Sequence, residues 1–115
     1  MPSKTVRAYS LYCRQAILLL GKHVQLARKE RKISERDLAD RAGISRATLQ
    51  KIEKGDLKCE IGIVLEVATL IGVKLFDVDI TQTHTFSLDI DRLNDKIALL
   101  PKSVRKSNKD LDDAF

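Results

Sequence analysis

Tryptophan is absent from this 115-residue chain, and two tyrosines and three phenylalanines are its whole aromatic complement. Single-stranded nucleic acid is held largely by base stacking on aromatic side chains, so that mode of binding fits poorly. Cysteine is equally scarce. Cys13 and Cys59 stand far apart without a CxxC spacing, which argues against a disulfide or metal framework and reads as two small buried thiols. His23 and His84 are remote in sequence from each other and from both cysteines, so no zinc ligand set is visible and no cofactor is expected. No Gly-rich phosphate loop is present, and no nucleophile-plus-base constellation points to an enzyme. The longest purely apolar run, Ala16 to Leu20, falls far short of the roughly 20 residues a membrane span needs. Met1-Pro2-Ser3-Lys4 leads into no apolar signal-peptide core, so a cytoplasmic chain with no membrane partner is expected.

Charge is plentiful but uneven. Residues 1–58 carry 14 Lys/Arg against 6 Asp/Glu, a net of +8, whereas residues 59–115 carry 7 against 10, a net of −3. A basic half joined to a mildly acidic one suggests a polyanion-binding face and a separate region with another task.

The apolar spacing is helical. From Ser10 to about Arg31, Ile17, Leu20, Val24 and Ala27 recur every three or four residues, which makes one buried stripe of a helix. Gly21 weakens the middle by about 1 kcal/mol relative to alanine, so the segment reads either as two helices or as one with a bend. Ser34 stands where an N-cap belongs, with Asp37 three residues on, and Gly43 ends the segment as a left-handed C′ glycine does. Ser45 then caps a second short helix, Arg46 to Lys54, stopped by Gly55. Two helices of this length hinged at Gly43-Ile44-Ser45 form a helix-turn-helix, with Leu38, Ala39, Ile44, Leu49 and Ile52 on its inner faces. Ala39 is small because the two helices cross closely there.

The run Ile33-Ser34-Glu35-Arg36-Asp37-Leu38-Ala39-Asp40-Arg41-Ala42-Gly43-Ile44-Ser45-Arg46-Ala47-Thr48-Leu49-Gln50-Lys51-Ile52-Glu53-Lys54-Gly55 closely resembles the Xre/Cro-type, lambda-repressor-like DNA-binding domain. The resemblance extends from about Leu20 to Asp77. It implies an all-α, five-helix domain in which Ile61 to Ile71 is the fourth helix and Val73 to Asp77 a short fifth. It also implies that the second motif helix lies in the major groove with its N-terminal residues at base edges. Ser45, Arg46, Ala47, Thr48 and Lys51 then hold the base-contacting positions. Arg46 is suited to guanine O6/N7, and Thr48 to a phosphate or a thymine methyl. The resemblance pairs Arg28 with Glu53, turning Arg28 toward a phosphate, and places Ser34, Glu35, Lys54 and Lys58 near the DNA backbone. Glu35 departs from the family's usual glutamine. A carboxylate repels phosphate, so it is expected either to turn toward Arg31 or Arg36 or to leave the contact to backbone N–H groups.

Family members usually dimerise on paired half-sites, and two surfaces suit that role. One is an exposed patch of Leu11, Leu18 and Leu19. The other is Thr81 to Leu88, whose β-branched alternation predicts either a short strand or a plain loop. A helix is expected from Asp89 or Asp91 to Leu100, ended by Pro101. The organisation read from the sequence is an N-terminal arm (1–9), the helix-turn-helix domain (10–78), a dimerisation extension (79–100) and a flexible tail (101–115). Leu111 and Phe115, four apart among carboxylates, suit either a partner's apolar pocket or a merely solubilising tail. The Leu100-Pro101-Lys102-Ser103-Val104-Arg105 element and the Asp-rich end resemble HipB-type antitoxins. That resemblance implies a bacterial, nucleoid-associated, homodimeric repressor of its own operon that also binds a HipA-like kinase toxin. A phage-type or general Xre-family repressor with no toxin partner is the alternative.

Overall fold

The computed structural model describes residues 8–77 and 80–103. The chain divides into two compact units, residues 1–77 and 78–115. Among the described residues there are five α-helices and one 3-10 turn, and no strand: α1 Leu11–Glu30, α2 Glu35–Ala42, α3 Arg46–Glu53, α4 Ile61–Leu70, the turn Ile80–Gln82, and α5 His84–Ala98.

In the first unit, each of the first three helices is started by a serine. Ser10 Oγ accepts from Cys13 N (3.1 Å), Ser34 Oγ from Asp37 N (3.0 Å) and Ser45 Oγ from Thr48 N (3.1 Å). Each bond satisfies an amide that the helix itself leaves without an acceptor. Gly43 has φ +70°, and its own N–H and that of Ile44 return to the last turn of α2. A side chain at Gly43 would strain this left-handed corner, and the corner sets the angle between α2 and α3.

Val24 of α1, Leu38 and Ala39 of α2, Leu49 and Ile52 of α3, and Val67, Ala68 and Ile71 from α4 and its end are buried in one core. Leu20, Ala27, Ile33, Ile44 and Val64 pack at its edge. α1 is a single helix through Gly21. A Cβ at Gly21 would lie 2.5 Å from the Ile52 carbonyl oxygen and 2.8 Å from that of Glu53. The glycine is therefore the point where α3's C-terminal end rests directly on α1's backbone, and α1 is not split into two helices there.

Three expectations are corrected by the structure. Val73 to Asp77 form no fifth helix. Gly72 turns the chain with φ +78°, and Val73 N donates to Ala68 O (2.8 Å) to close α4; the five residues that remain are too few to nucleate another helix against its entropic cost. The strand expected over Thr81 to Leu88 is also not there. The segment is the 3-10 turn followed by the first turn of α5, which begins at His84, five residues before Asp89. Phe86, Ile90, Leu93 and Ile97 recur at helical spacing, and that longer pattern carries the helix back through Thr85 and Ser87 despite their β-branched or polar character. The cysteines, finally, are half-buried rather than buried; burial and the nearby Asp56 carboxylate push the Cys59 thiol up. Leu111 and Phe115 of the tail lie outside the described residues.

Candidate nucleic-acid interface

The Arg28–Glu53 pair locks the motif to α1. Arg28 Nε donates to Glu53 Oε2 at 2.7 Å, and Nη2 donates to Oε1 at 3.0 Å. Nη1 donates to the Ile33 carbonyl at 3.1 Å, in the link between α1 and α2. Exposure is 7% for Arg28 and 3% for Glu53. The planar fork satisfies both carboxylate oxygens, which is what makes burying two charges tolerable. The bond to Glu53 raises the Arg28 pKa further above its ordinary value, so the guanidinium stays charged at any pH the fold survives. With one donor on each of its three nitrogens so engaged, Arg28 braces α1 against the end of α3 and the α1–α2 link.

α3 is only eight residues long and puts its apolar side, Leu49 and Ile52, into the core. Its other side is the candidate contact surface. Ser45, Arg46, Ala47 and Lys51 are exposed and Thr48 is half-buried. Ser45 Oγ and Thr48 Oγ1 lie 2.9 Å apart, so these two hydroxyls are tied together across the helix's first turn while Ser45 also caps it. Past α3 the chain turns through Gly55. Asp56 Oδ1 accepts from Lys58 N at 2.8 Å, a local turn in the segment that carries Lys54 and Lys58, both exposed. Ser34 is exposed at the start of α2, where the helix's free N–H groups favour an anion.

Glu35 turns toward neither Arg31 nor Arg36. Its Oε1 accepts from Arg46 Nε at 3.1 Å and from Gln50 Nε2 at 3.2 Å, and Arg46 Nη2 is also 3.1 Å away. The reason is tertiary: α2 packs against α3, so the nearest donors to its first residue come from α3. Arg46 and Gln50 are four apart and share a helix face, a signal the sequence held, though Gln50 drew no attention there. The bonds from Gln50 and Arg46 hold the Glu35 carboxyl below the usual carboxylate range. The pairing is thus complete at neutral pH and disappears only as the pH falls through that lowered value. Arg46 remains 64% exposed with one edge of its guanidinium tethered, which restricts where the other edge can reach. An open polar cleft beside it is lined by Gln25, Arg28, Lys29, Ser34, Glu35, Arg36 and Arg46.

Among the described residues no cluster of His, Cys, Asp or Glu could hold a metal ion, and no helix is long and apolar enough to cross a membrane.

A helix-turn-helix family model matches residues 24–78. Over this segment the chain is similar to Xre-like helix-turn-helix domains, a family of DNA-binding transcription regulators. The match ends before α5 and the C-terminal residues that carry the antitoxin resemblance. Searches among curated proteins and among solved structures returned no match.

Proposed function

We propose that the protein is an operator-specific repressor that inserts the exposed face of α3 into the major groove of duplex DNA. The observation that carries this reading is the placement of Arg46. It sits at the N-terminal end of a capped helix whose far end is clamped by a buried ion pair, so its guanidinium is offered from a rigid platform. Arg46 reads a guanine, with Ser45, Ala47, Thr48 and Lys51 on neighbouring base edges or the sugar–phosphate wall. Ser34, Lys54 and Lys58 position the domain on phosphates. Glu35 stays on the protein side of the interface, steering Arg46, because a free carboxylate there would repel the backbone. One such domain reads half an operator, so two copies bind half-sites about 34–36 Å apart.

The test begins with a site selected from a randomised duplex library, titrated beside a scrambled duplex. Arg46→Ala is expected to weaken the selected site about 10- to 100-fold and to relax preference at one base pair. Lys54→Ala should weaken both duplexes alike and lower the salt slope by about 1. Equal loss on every sequence for the Arg46 variant would remove its base-reading role.

The reading extends to a HipB-like antitoxin that autoregulates its operon and binds a HipA-like kinase toxin through Leu111 and Phe115. Its support is the C-terminal sequence alone: an aromatic and a leucine at helical spacing among carboxylates fit an apolar pocket with a basic rim. Co-purification with the neighbouring gene product should be lost on truncation after Pro101. Unchanged co-purification, or none from the full chain, leaves a phage-type or general repressor.

A further inference from the structure

α5 has no buried residue along its length. A helix of fifteen residues is marginal in water without packing on one face, so its sequence should show what it packs against. Phe86, Ile90, Leu93 and Ile97 recur at intervals of 4, 3 and 4 within α5, and Leu100 continues the pattern just past its end; this is the heptad repeat of a helix that pairs with another helix, with isoleucine on one seam position and phenylalanine then leucine on the other. Ile90, Leu93, Ile97 and Leu100 are 56, 57, 63 and 66% exposed. The charged residues Asp91, Arg92 and Asp95 fall on the opposite side, while the seam is flanked by Asp89 and Lys96 on one edge and Ser87 and Asn94 on the other.

We infer that α5 pairs with α5 of a second copy of this chain, running antiparallel about a two-fold axis. This rests on the dimer reading above and gives it a surface. The flanking residues choose both the occupant and its direction. In the antiparallel arrangement Ile90 packs on the partner's Leu93, Leu93 on the partner's Ile90, and Ile97 on the partner's Phe86. Asp89 then meets the partner's Lys96, and by symmetry Lys96 meets the partner's Asp89, while Ser87 and Asn94 face each other in the same reciprocal way across the other edge. A parallel pair would set Asp89 against Asn94 and Lys96 against Pro101, with no ion pair at all. Edge charges of this kind set the partner and orientation of paired helices, and an isologous contact is the commonest way for identical chains to associate. Within α5, Arg92 Nη1 reaches Asp89 Oδ1 at 3.4 Å, an exposed and loose contact that competes weakly.

Sedimentation equilibrium of the full chain tests this without reference to DNA. The wild type is expected to be a dimer. Asp89→Lys turns both attractions into repulsions and should raise the dissociation constant about tenfold. Adding Lys96→Asp in the same chain restores both pairs with their signs exchanged and should return the constant to within about twofold of wild type. Ile90→Lys/Leu93→Lys should abolish the dimer while leaving thermal unfolding of the helix-turn-helix unit unchanged. A dimer indifferent to all three variants uses another surface, such as the exposed leucines of α1, and overturns the α5 assignment while sparing the dimer reading. Loss with Ile90→Lys/Leu93→Lys but no response to Asp89→Lys overturns the antiparallel register. A monomeric wild type overturns both.

Discussion

Glu53→Ala is expected to lower the unfolding free energy of the helix-turn-helix unit by about 3–5 kcal/mol, a loss that leaves a small domain barely folded at room temperature. The magnitude follows from what the substitution strands. Arg28 is buried with two of its donor positions on the Glu53 carboxylate, and it cannot shed its charge. Removing the carboxylate leaves an uncompensated cation inside the protein, and that penalty far exceeds the value of the pair relative to no charges at all. The double variant Arg28→Met/Glu53→Leu should therefore recover most of the loss. Urea unfolding followed by circular dichroism measures both. If Glu53→Ala shifts the unfolding free energy by less than about 1 kcal/mol, the pair behaves as a surface ion pair and the bracing role assigned to it is wrong.

Gly21→Ala is expected to cost about 1–3 kcal/mol, although alanine is the better helix former by about 1 kcal/mol. The sign is the informative part. At an exposed helical position the exchange would stabilise. At Gly21 the added methyl would sit 2.5 Å from one backbone carbonyl oxygen and 2.8 Å from the next, and backbone cannot step aside as a flexible side chain can. α3's last turn must lift off α1. That displacement also loosens the adjacent Arg28–Glu53 clamp, so operator affinity should fall in protein that is still folded. A stabilised Gly21→Ala variant with unaltered DNA binding would mean that the two helices are not in direct backbone contact.

Both predictions concern residues whose place could be named from the sequence but whose physical role could not. Gly21 reads from sequence alone as a weak point in a helix, because propensity scales describe a helix in water and contain no neighbour. The Glu35 carboxylate shows the same limit. Its candidates by sequence were the arginines closest along the chain, and the ones it meets are fixed by how α2 leans on α3. The strand expected over Thr81 to Leu88 failed for a different reason. Eight residues of alternating polar and β-branched character are too short a window to separate a period of 2 from one of 3.6, and only the continuation through Ile90, Leu93 and Ile97 decides it.

What the sequence by itself determined is the local framework: where α2 and α3 begin and end, which residues turn inward, and that a basic helix follows Ser45. Those features depend on serine hydroxyls three residues from the amides they satisfy, on a glycine that tolerates positive φ, and on apolar spacing, all of which act over a few residues and so are written in consecutive letters. Only the tertiary structure decided that α1 and α3 touch through a bare backbone, that Arg28 is an interior strut, and that Arg46 is steered by Glu35 and Gln50. These are contacts between residues 11 to 32 positions apart, and their geometry is set by how the core closes, which no short stretch of chain encodes.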